Sequence, residues 1–539
     1  MSRYFLQLLL LLNLGYGFSQ DNSRPVPPTF PTYEFEVNEL IFDGHYCANA
    51  WQLNPETTTN VFILDSMGYL AWYRKDQDEH STDFKYQAST NSFSDITYWE
   101  GPAGVFYTYD HTFNAIDTLI SGNEERGDTH EFLLLENGHK LIGTLYDTIM
   151  DLRGYIFNGL GGIEECRVRG FGIQEFDTDN NLIWNWHSTD FVHPNEYSDG
   201  LNYYPNDFDY AHGNALDIDD DGNLLVSLRN TSTVYKIDRV NRTGEILWRL
   251  GGENSSFTIA NSDDRFSAQH YAHRLPNGNI GLYDNGNLRW PDRFSRAAEY
   301  SLDLANGTAS LVWSYDADQS IYASGMGNAQ WLNEDAILVA WGYVFRPNPT
   351  MSIVNRAGDL LTALYLEDTY MSYRVAAANF SFDLPRPYLT TAEVEGGVEI
   401  SAPEGYSEYV WSTGDTTSSI IVTAPGIYQA WVPHGIGLVG SYPVEVSEIV
   451  STTGLTLEET LRVFPNPAKD QLSISVTTDQ RAAYSLALYD VAGHCVQKTS
   501  GEDLSNPQIL DTSSLPAGLY VLRLDTGDTT VSRKVVLLE

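Results

Sequence analysis

Apolar and polar residues alternate over short stretches along most of the chain, and turn residues separate these stretches. One recurring unit is an apolar segment, a polar turn and an aliphatic segment that often ends in Trp, first seen from Phe62 to Trp72. Similar units recur at 174–184, 235–248, 300–313 and 353–365. Because successive side chains of a strand point to opposite faces, each unit predicts a β-hairpin.

A second set of hairpins is predicted between these units, at turns rich in Asn-Gly and Asp-Gly. These turns are Asn137-Gly138, Asp221-Gly222 and Asn277-Gly278, with a weaker one at 333–335. Such dipeptides favour tight hairpin turns. Two hairpins make a four-stranded sheet that cannot bury both faces alone, whereas sheets stacked around an axis bury them against each other. Five clear copies of this repeat and a degenerate one near 85–121 therefore predict a β-propeller of about six blades over residues 35–385.

The rest of the mature chain also predicts strands, so the expected fold class is all-β. The segment 390–448 predicts a small β-sandwich and resembles the immunoglobulin-like modules of bacterial surface proteins. A last unit at 457–539 predicts a second, C-terminal β-sandwich.

The N-terminus predicts a secretory signal peptide over residues 1–19. Arg3 precedes an apolar run from Leu8 to Leu14, and small residues follow up to Ser19, where we expect cleavage. No later segment approaches the roughly 18 apolar residues of a transmembrane helix, so we expect no membrane span.

Composition narrows the possible partners. The chain carries 72 acidic against 31 basic residues, for a net charge of −41. Nucleic acids and anionic membranes are bound by clusters of Lys and Arg, so this charge disfavours both. The three cysteines are Cys47, Cys166 and Cys495. For an exported chain this count leaves two alternatives open: a Cys47–Cys166 disulfide, or free thiols.

Three histidines occupy equivalent places in the predicted propeller. His130, His212 and His270 each stand close to the start of a predicted innermost strand. Innermost strands line the axial channel, so these side chains are expected to converge at one mouth of it. Arg229 ends the hairpin that begins near His212, and a hairpin brings its two ends together.

A single histidine before a strand is more commonly a structural hydrogen-bonding residue, but three at equivalent positions favour a function. Three imidazoles and a guanidinium suit a tetrahedral oxyanion such as sulfate or phosphate. A metal would need additional carboxylate ligands, and none stands at ligand spacing. We therefore predict no metal site.

The C-terminal unit resembles the C-terminal sorting domain of type IX secretion. The resemblance rests on four segments in order: 463–467 (VFPNP), 488–493 (LYDVAG), 515–522 (LPAGLYVL) and 533–536 (RKVV). It implies that the type IX machinery is a partner and that the domain is commonly removed after export. The expected location is the exterior or the cell surface of a Gram-negative bacterium, reached through the periplasm.

The propeller region resembles the arylsulfate sulfotransferases, which are exported six-bladed propellers. The matching segments are 128–142, 211–252, 269–286 and 327–330, with the motifs Asp-Thr-His130-Glu, His212-Gly-Asn214, Gln-His270 and Asp-Asn285-Gly. The resemblance implies transfer of a sulfuryl group from a phenolic sulfate ester to a phenol through a sulfohistidine, with no cofactor.

By the same resemblance, the candidate site residues have distinct roles. His270 matches the nucleophile, and His130, His212 and Arg229 match the groups around the sulfate. Asn214 and Asn285 match substrate-binding positions. Two alternatives stay open: a non-catalytic surface propeller that acts as an adhesin or glycan-binding scaffold, and an aryl-sulfate hydrolase that uses water in place of the phenol.

Overall fold

In the described residues, nearly all of the regular secondary structure is β-strand, and the strands between residues 33 and 378 form a ring of sheets. The computed structural model describes residues 22–52, 59–76, 80–98, 103–201, 203–381, 386–394, 397–447, 460–476, 483–503, 506–527 and 529–538. The predicted signal peptide lies outside the described residues. Within them, the ring contains six antiparallel sheets, which we call blades 1 to 6 in chain order.

The strands follow the chain around the ring, after a first strand, β1 (Tyr33–Val37), that belongs to the last blade. Blade 1 contains β2 (His45–Gln52), β3 (Thr59–Asp65) and β4 (Leu70–Asp76). Blade 2 contains β5 (His80–Gln87), β6 (Ser92–Tyr98), β7 (Gly104–Tyr109) and β8 (Ala115–Leu119). Blade 3 contains β9 (Arg126–Leu134), β10 (Lys140–Met150), β13 (Cys166–Phe176) and β14 (Leu182–His187), with short accessory strands β11 (Ile156–Phe157), β12 (Leu160–Gly161) and β15 (Asp207–Asp209).

The second half of the ring repeats the pattern. Blade 4 contains β16 (Gly213–Ile218), β17 (Leu224–Leu228), β18 (Thr233–Ile237) and β19 (Ile246–Gly251). Blade 5 contains β20 (Thr258–Ile259), β21 (His270–Arg274), β22 (Ile280–Asp284), β23 (Arg296–Asp303) and β24 (Thr308–Tyr315). Blade 6 contains β25 (Asn328–Trp331), β26 (Ala336–Ala340), β27 (Met351–Asn355) and β28 (Leu360–Leu366). Helical segments are short: α1 (Ser188–Phe191) and the 3₁₀ turns Pro194–Glu196, Arg229–Thr231, Ser262–Asp264 and Ala317–Gln319.

Strands from both ends of this region close the ring. β1 pairs with β28 at the outside of blade 6, where Tyr33 lies opposite Leu366. Two later strands, β29 (Tyr370–Met371) and β30 (Val375–Ala378), both pair with β2. The innermost strands β30, β5, β9, β16, β21 and β25 contact one another in cyclic order. The predicted all-β propeller fold is therefore confirmed, and both of its ends are needed to complete it.

Local sequence signals account for the hairpins. Gly138 and Gly222 have φ of +80° and +82°, a left-handed conformation that glycine adopts without a Cβ clash. The degenerate region near 85–121 forms the complete blade 2. Its pattern is weak because β5 contains a bulge between Thr82 and Lys85, with Asp83 at φ +53°. A bulge shifts the alternation of apolar and polar residues.

The cysteines do not form the disulfide that the sequence left open. Cys47 and Cys166 are both buried and free. Cys47 packs in a cluster beside blade 1, and Cys166 packs in the core of blade 3. Different blades hold the two thiols apart, and burial raises the pKa of each. The disulfide alternative is therefore wrong.

The segment predicted to be immunoglobulin-like is joined to the propeller by a shared sheet. Its strands are β31 (Thr390–Val394), β32 (Gly397–Ser401), β33 (Val410–Trp411), β34 (Ser419–Val422), β35 (Gly426–Tyr428), β36 (Ala430–His434), β37 (Gly437–Gly440) and β38 (Val444–Val446). β37 pairs with β4, so blade 1 continues into β36 and β33. Trp431 is fully buried, and its Nε1 donates to the Leu70 carbonyl at 3.1 Å. The segment therefore caps an edge of the propeller that would otherwise be exposed.

The C-terminal unit has a core of its own. Its strands are β39 (Leu461–Phe464), β40 (Gln471–Val476), β41 (Tyr484–Asp490), β42 (Cys495–Gly501), β43 (Gln508–Asp511), β44 (Gly518–Asp525) and β45 (Thr530–Leu537). A three-stranded and a four-stranded sheet enclose an apolar cluster drawn from this unit alone. The predicted C-terminal β-sandwich is confirmed. No helix in the described part of the chain is long and apolar enough to cross a membrane.

The shared sheet predicts that Trp431→Ala destabilises blade 1 as well as its own module. Replacing a buried Trp by Ala costs about 3–5 kcal/mol, because a cavity remains and packing is lost. Hydrogen–deuterium exchange of peptides from β3 and β4 should become faster. Ile421→Ala, at a position 60% exposed on β34, is the matched control and should leave that exchange unchanged. Unchanged protection of β3 and β4 in Trp431→Ala would show that the module is independent.

Candidate active site

The candidate side chains lie at one mouth of the ring. Strands within a blade run antiparallel, so the loop before its first strand and the loop after its second strand open to the same face. His212 precedes β16, His270 begins β21, and Arg229 follows β17. His130, inside β9, joins them, because its ring centroid lies 5.0 Å from that of His212. The Arg229 amide donates to the His212 carbonyl at 2.9 Å, as the hairpin predicted.

His130 is oriented by a buried carboxylate. Its Nδ1 lies 2.8 Å from Oδ2 of Asp128, which is only 2% exposed. The same carboxylate accepts the His130 backbone N–H at 2.9 Å. Because an ionised carboxylate only accepts hydrogen bonds, Nδ1 carries the proton and Nε2 points away from Asp128.

His212 has the same kind of partner from a different loop. Its Nδ1 donates to Oδ2 of Asp209 at 2.7 Å, and its backbone is left-handed with φ of +51°. Burial raises the pKa of Asp209, but the nearby charges of His212 and Arg169 outweigh burial and lower it overall. Asp209 is therefore ionised at neutral pH and accepts the proton on Nδ1 of His212.

His270 has a neutral partner instead. It is 2% exposed, and its Nδ1 lies 2.7 Å from Oδ1 of Asn285. The Asn285 amide nitrogen donates to the Ala323 and Met326 carbonyls at 3.0 and 3.1 Å, which fixes Oδ1 as the acceptor. Nδ1 of His270 therefore carries the proton. The Met326 backbone N–H donates to Nε2 at 3.1 Å, as expected for a nitrogen with a free lone pair.

The surroundings of His270 keep its ring neutral. Burial, and then the neighbouring charges of Arg229 and His130, lower the pKa of His270 well below its usual range. The hydrogen bond to Asn285 acts in the opposite direction but does not offset them. His270 is thus an uncharged imidazole at neutral pH.

Arg229 presents a guanidinium without a carboxylate partner in the described part of the chain. Its Nη1 donates to Asn230 Oδ1 at 2.7 Å, and its Nη2 donates to the Ser324 carbonyl at 2.9 Å. Neutral acceptors fix its orientation, and a nearby acid, Asp209, raises the pKa of Arg229 less than burial lowers it. Such a group suits the oxygen atoms of a sulfate or phosphate ester.

The two predicted asparagines contact the protein. Asn285 holds His270, as described above. Asn214 is fully buried, and its Nδ2 donates to the Gln269 carbonyl at 2.8 Å, directly before His270. Both side chains therefore position the candidate nucleophile. Direct contact with substrate stays a prediction for both.

A buried ion cluster lies next to these residues, and sequence reasoning missed it. Arg374, 5% exposed, donates from Nη1 to Asp83 and Glu131 at 2.8 Å each, and from Nη2 to the Asn214 carbonyl at 2.5 Å. Lys85 contacts the same two carboxylates. Two acids and two bases make the cluster neutral, which allows it to be buried. The only hint in the sequence is the presence of charges inside predicted innermost strands.

Comparison with known proteins shows the family. The family model described as "Arylsulfotransferase (ASST)" matches residues 32–374, and the "Secretion system C-terminal sorting domain" matches residues 462–538. The first match covers more than half of the chain, which therefore belongs to the arylsulfotransferase family. Both resemblances inferred from motifs are confirmed, and the sorting domain indicates export to the cell surface or the extracellular space. No curated protein matches the chain.

Among solved structures, the similarities are distant. A streptogramin B lyase is 10% identical with a TM-score of 0.31, covering 68% of this chain and 94% of its own. A catalytically inactive virginiamycin B lyase from Staphylococcus aureus with quinupristin is 7% identical (TM-score 0.29; 62% and 99%). The PQQ-bound aldose sugar dehydrogenase from Streptomyces coelicolor is 13% identical (TM-score 0.29; 64% and 100%).

A second, half-buried histidine of β21, His273, predicts acid sensitivity. Burial lowers the pKa of His273 to about 4, below the usual 6.5. The unfolded chain then binds more protons than the folded one below pH 6.5, so stability falls as the pH drops toward 4. Between pH 7 and pH 5, the free energy of unfolding of the wild type should fall by about 2 kcal/mol more than that of His273→Gln.

Denaturant titrations at the two pH values measure this difference. His494→Gln, at a side chain 79% exposed in the sorting domain, is the matched control. An equal pH dependence in His273→Gln and wild type would contradict the assignment.

Proposed function

We propose that this protein is an exported sulfotransferase that moves a sulfuryl group from a phenolic sulfate ester to a phenolic acceptor, with His270 Nε2 as the nucleophile. The observation that carries the proposal is that the three histidines have different hydrogen-bond partners at Nδ1. His270 is held by a neutral amide, whereas His130 and His212 are held by carboxylates. One ring is thereby suited to attack and two to proton transfer.

The first half-reaction begins at a lone pair that is available at neutral pH. His270 Nε2 attacks the sulfur, a nitrogen–sulfur bond forms, and the bond from sulfur to the phenolic oxygen breaks with its electron pair on oxygen. Asn285 and Met326 fix the reactive tautomer. When Nε2 bonds to sulfur it no longer accepts the Met326 N–H, which then adjoins the sulfuryl oxygens as a donor.

His130 and His212 supply the acid and base. A carboxylate at Nδ1 orients each ring, so that a proton carried on its Nε2 can pass to the departing phenolate. After the first phenol leaves, the neutral form of the same ring can take the proton of an acceptor phenol. The acceptor oxygen then attacks sulfur, the nitrogen–sulfur bond breaks, and His270 is regenerated. This order predicts ping-pong kinetics.

Arg229 stabilises charge on the sulfuryl oxygens as the bonds change. Its unpaired positive charge beside His270 supports this role, since a preorganised donor acts most strongly where water is excluded. The type IX sorting domain is proposed to hand the protein from the periplasm to the secretion machinery and to take no part in catalysis.

Incubation with 4-nitrophenyl sulfate, with and without added phenol, tests the reaction class. Phenol-dependent release of nitrophenol together with formation of phenyl sulfate supports transfer. Release that does not depend on phenol would instead indicate the hydrolase, and no release would indicate the surface scaffold.

The nucleophile assignment predicts that His270→Gln abolishes turnover, with a loss of roughly 10⁴-fold or more, because no other group is placed to form the bond to sulfur. Steady-state release of nitrophenol in the presence of phenol is the measurement. His139→Gln is the matched control, because His139 is likewise held through Nδ1 by a side-chain oxygen, that of Glu175 at 2.8 Å, but on the opposite face of the ring. Residual turnover of His270→Gln near the wild-type rate would rule out this nucleophile.

The role of Arg229 predicts a graded effect. Arg229→Lys keeps the charge but loses the planar fork, so one point contact replaces parallel hydrogen bonds. Losing one such donor costs about 2–4 kcal/mol, or roughly 30- to 1000-fold in kcat/KM. Transfer kinetics with a fixed acceptor measure this loss. A change within about 3-fold of wild type would place Arg229 outside the transition state.

A further inference from the structure

Two loops border the mouth next to Arg229 and His270. The loop at 285–295 connects β22 to β23, and the loop at 316–327 connects β24 to β25. They are tied together because Asn287 Nδ2 donates to the Ser324 carbonyl at 2.9 Å. That carbonyl also accepts from Arg229. These loops therefore form a wall of the proposed sulfuryl site.

This wall carries a stack of aromatic and cationic side chains. The Arg293 guanidinium lies 5.6 Å above the ring centroid of Trp290 and 5.8 Å from that of Tyr322. Trp290 is 81% exposed. Tyr322 lies two residues before Ser324, whose carbonyl accepts from Arg229. Arg229, Tyr322, Arg293 and Trp290 thus form a row that runs outward from the site.

The charge of Arg293 is unusual for this chain. Acids outnumber bases by 72 to 31, and Arg289 in the same loop is paired with Asp284. In the described ranges, Arg293 makes ring contacts but has no acidic partner. A cation held between two aromatic faces at the mouth is a preformed partner for an aromatic anion.

We propose that Trp290, Arg293 and Tyr322 form a subsite for phenols that carry a second anionic group, such as a carboxylate, away from the reacting hydroxyl. The inference rests on the proposed function. Tyr322 contacts the Arg293 guanidinium and lies two residues before the carbonyl that binds Arg229, so a phenol can lie along its ring with the hydroxyl toward Arg229 and His270. The carboxylate then reaches Arg293, whose guanidinium lies over the ring of Trp290.

A matched pair of acceptors tests the subsite. 4-Hydroxyphenylacetate carries a carboxylate, and 4-hydroxyphenylacetamide has the same shape without the charge. With 4-nitrophenyl sulfate as donor, Arg293→Gln should raise KM for the acetate by about 5- to 20-fold, since a charge-assisted hydrogen bond is lost. KM for the amide and both kcat values should stay within about 2-fold. Arg293→Lys should restore most of the preference.

Arg242→Gln removes an exposed arginine from the β18–β19 loop on the opposite face and should change neither KM. Equal effects of Arg293→Gln on the two acceptors, or no effect on either, would overturn the subsite.

Calorimetric binding of 4-hydroxyphenylacetate separates this proposal from the proposed function. If the wild type releases no nitrophenol but Arg293→Gln binds the acetate more weakly than the wild type does, the proposed reaction is wrong and the subsite stands. If the wild type is active but Arg293→Gln changes neither KM nor affinity for the acetate, the proposed reaction stands and the subsite is wrong.

Discussion

The buried ion cluster around Arg374 is the constraint on which the ring and the candidate site both depend. Arg374 directly precedes β30, the strand that closes the ring, and it binds Asp83 of blade 2, Glu131 of blade 3 and the Asn214 carbonyl of blade 4. Four blades thus meet at one guanidinium. Removing one partner would leave an uncompensated buried charge, at a cost of about 3–5 kcal/mol. Because Glu131 follows His130 and Asn214 lies two residues after His212, the contacts that close the ring also hold these histidines together.

The chemistry follows from what each histidine binds within this frame. Carboxylates accept the Nδ1 hydrogen bonds of His130 and His212, whereas an amide does so for His270, whose deep burial and nearby Arg229 charge keep its ring neutral. In the proposed mechanism, one mouth of the ring thus holds both the proton donors and the nucleophile. A common residue type acquires separate roles through its neighbours.

Much of this architecture could be predicted from sequence, because strand periodicity and Asn-Gly or Asp-Gly turns are local signals. The positions of His130, His212, His270 and Arg229 followed from the hairpins that carry them. Other features depend on contacts between distant segments or on the backbone. Arg374 meets Asp83 across 291 residues, and the Met326 N–H at His270 carries no residue signature. The pairing of β37 with β4 and the separation of Cys47 from Cys166 likewise required the three-dimensional arrangement.

The central claim is that a sulfuryl group is carried on His270 between donor and acceptor. Mass spectrometry of the protein tests this directly. The protein is incubated with an aryl sulfate alone, quenched, and digested under conditions that preserve the nitrogen–sulfur bond. The account predicts the added mass of one SO3 on the peptide that contains His270, and its loss when phenol is supplied before quenching. The same label on a peptide that contains His130 or His212, with none on His270, would contradict the account.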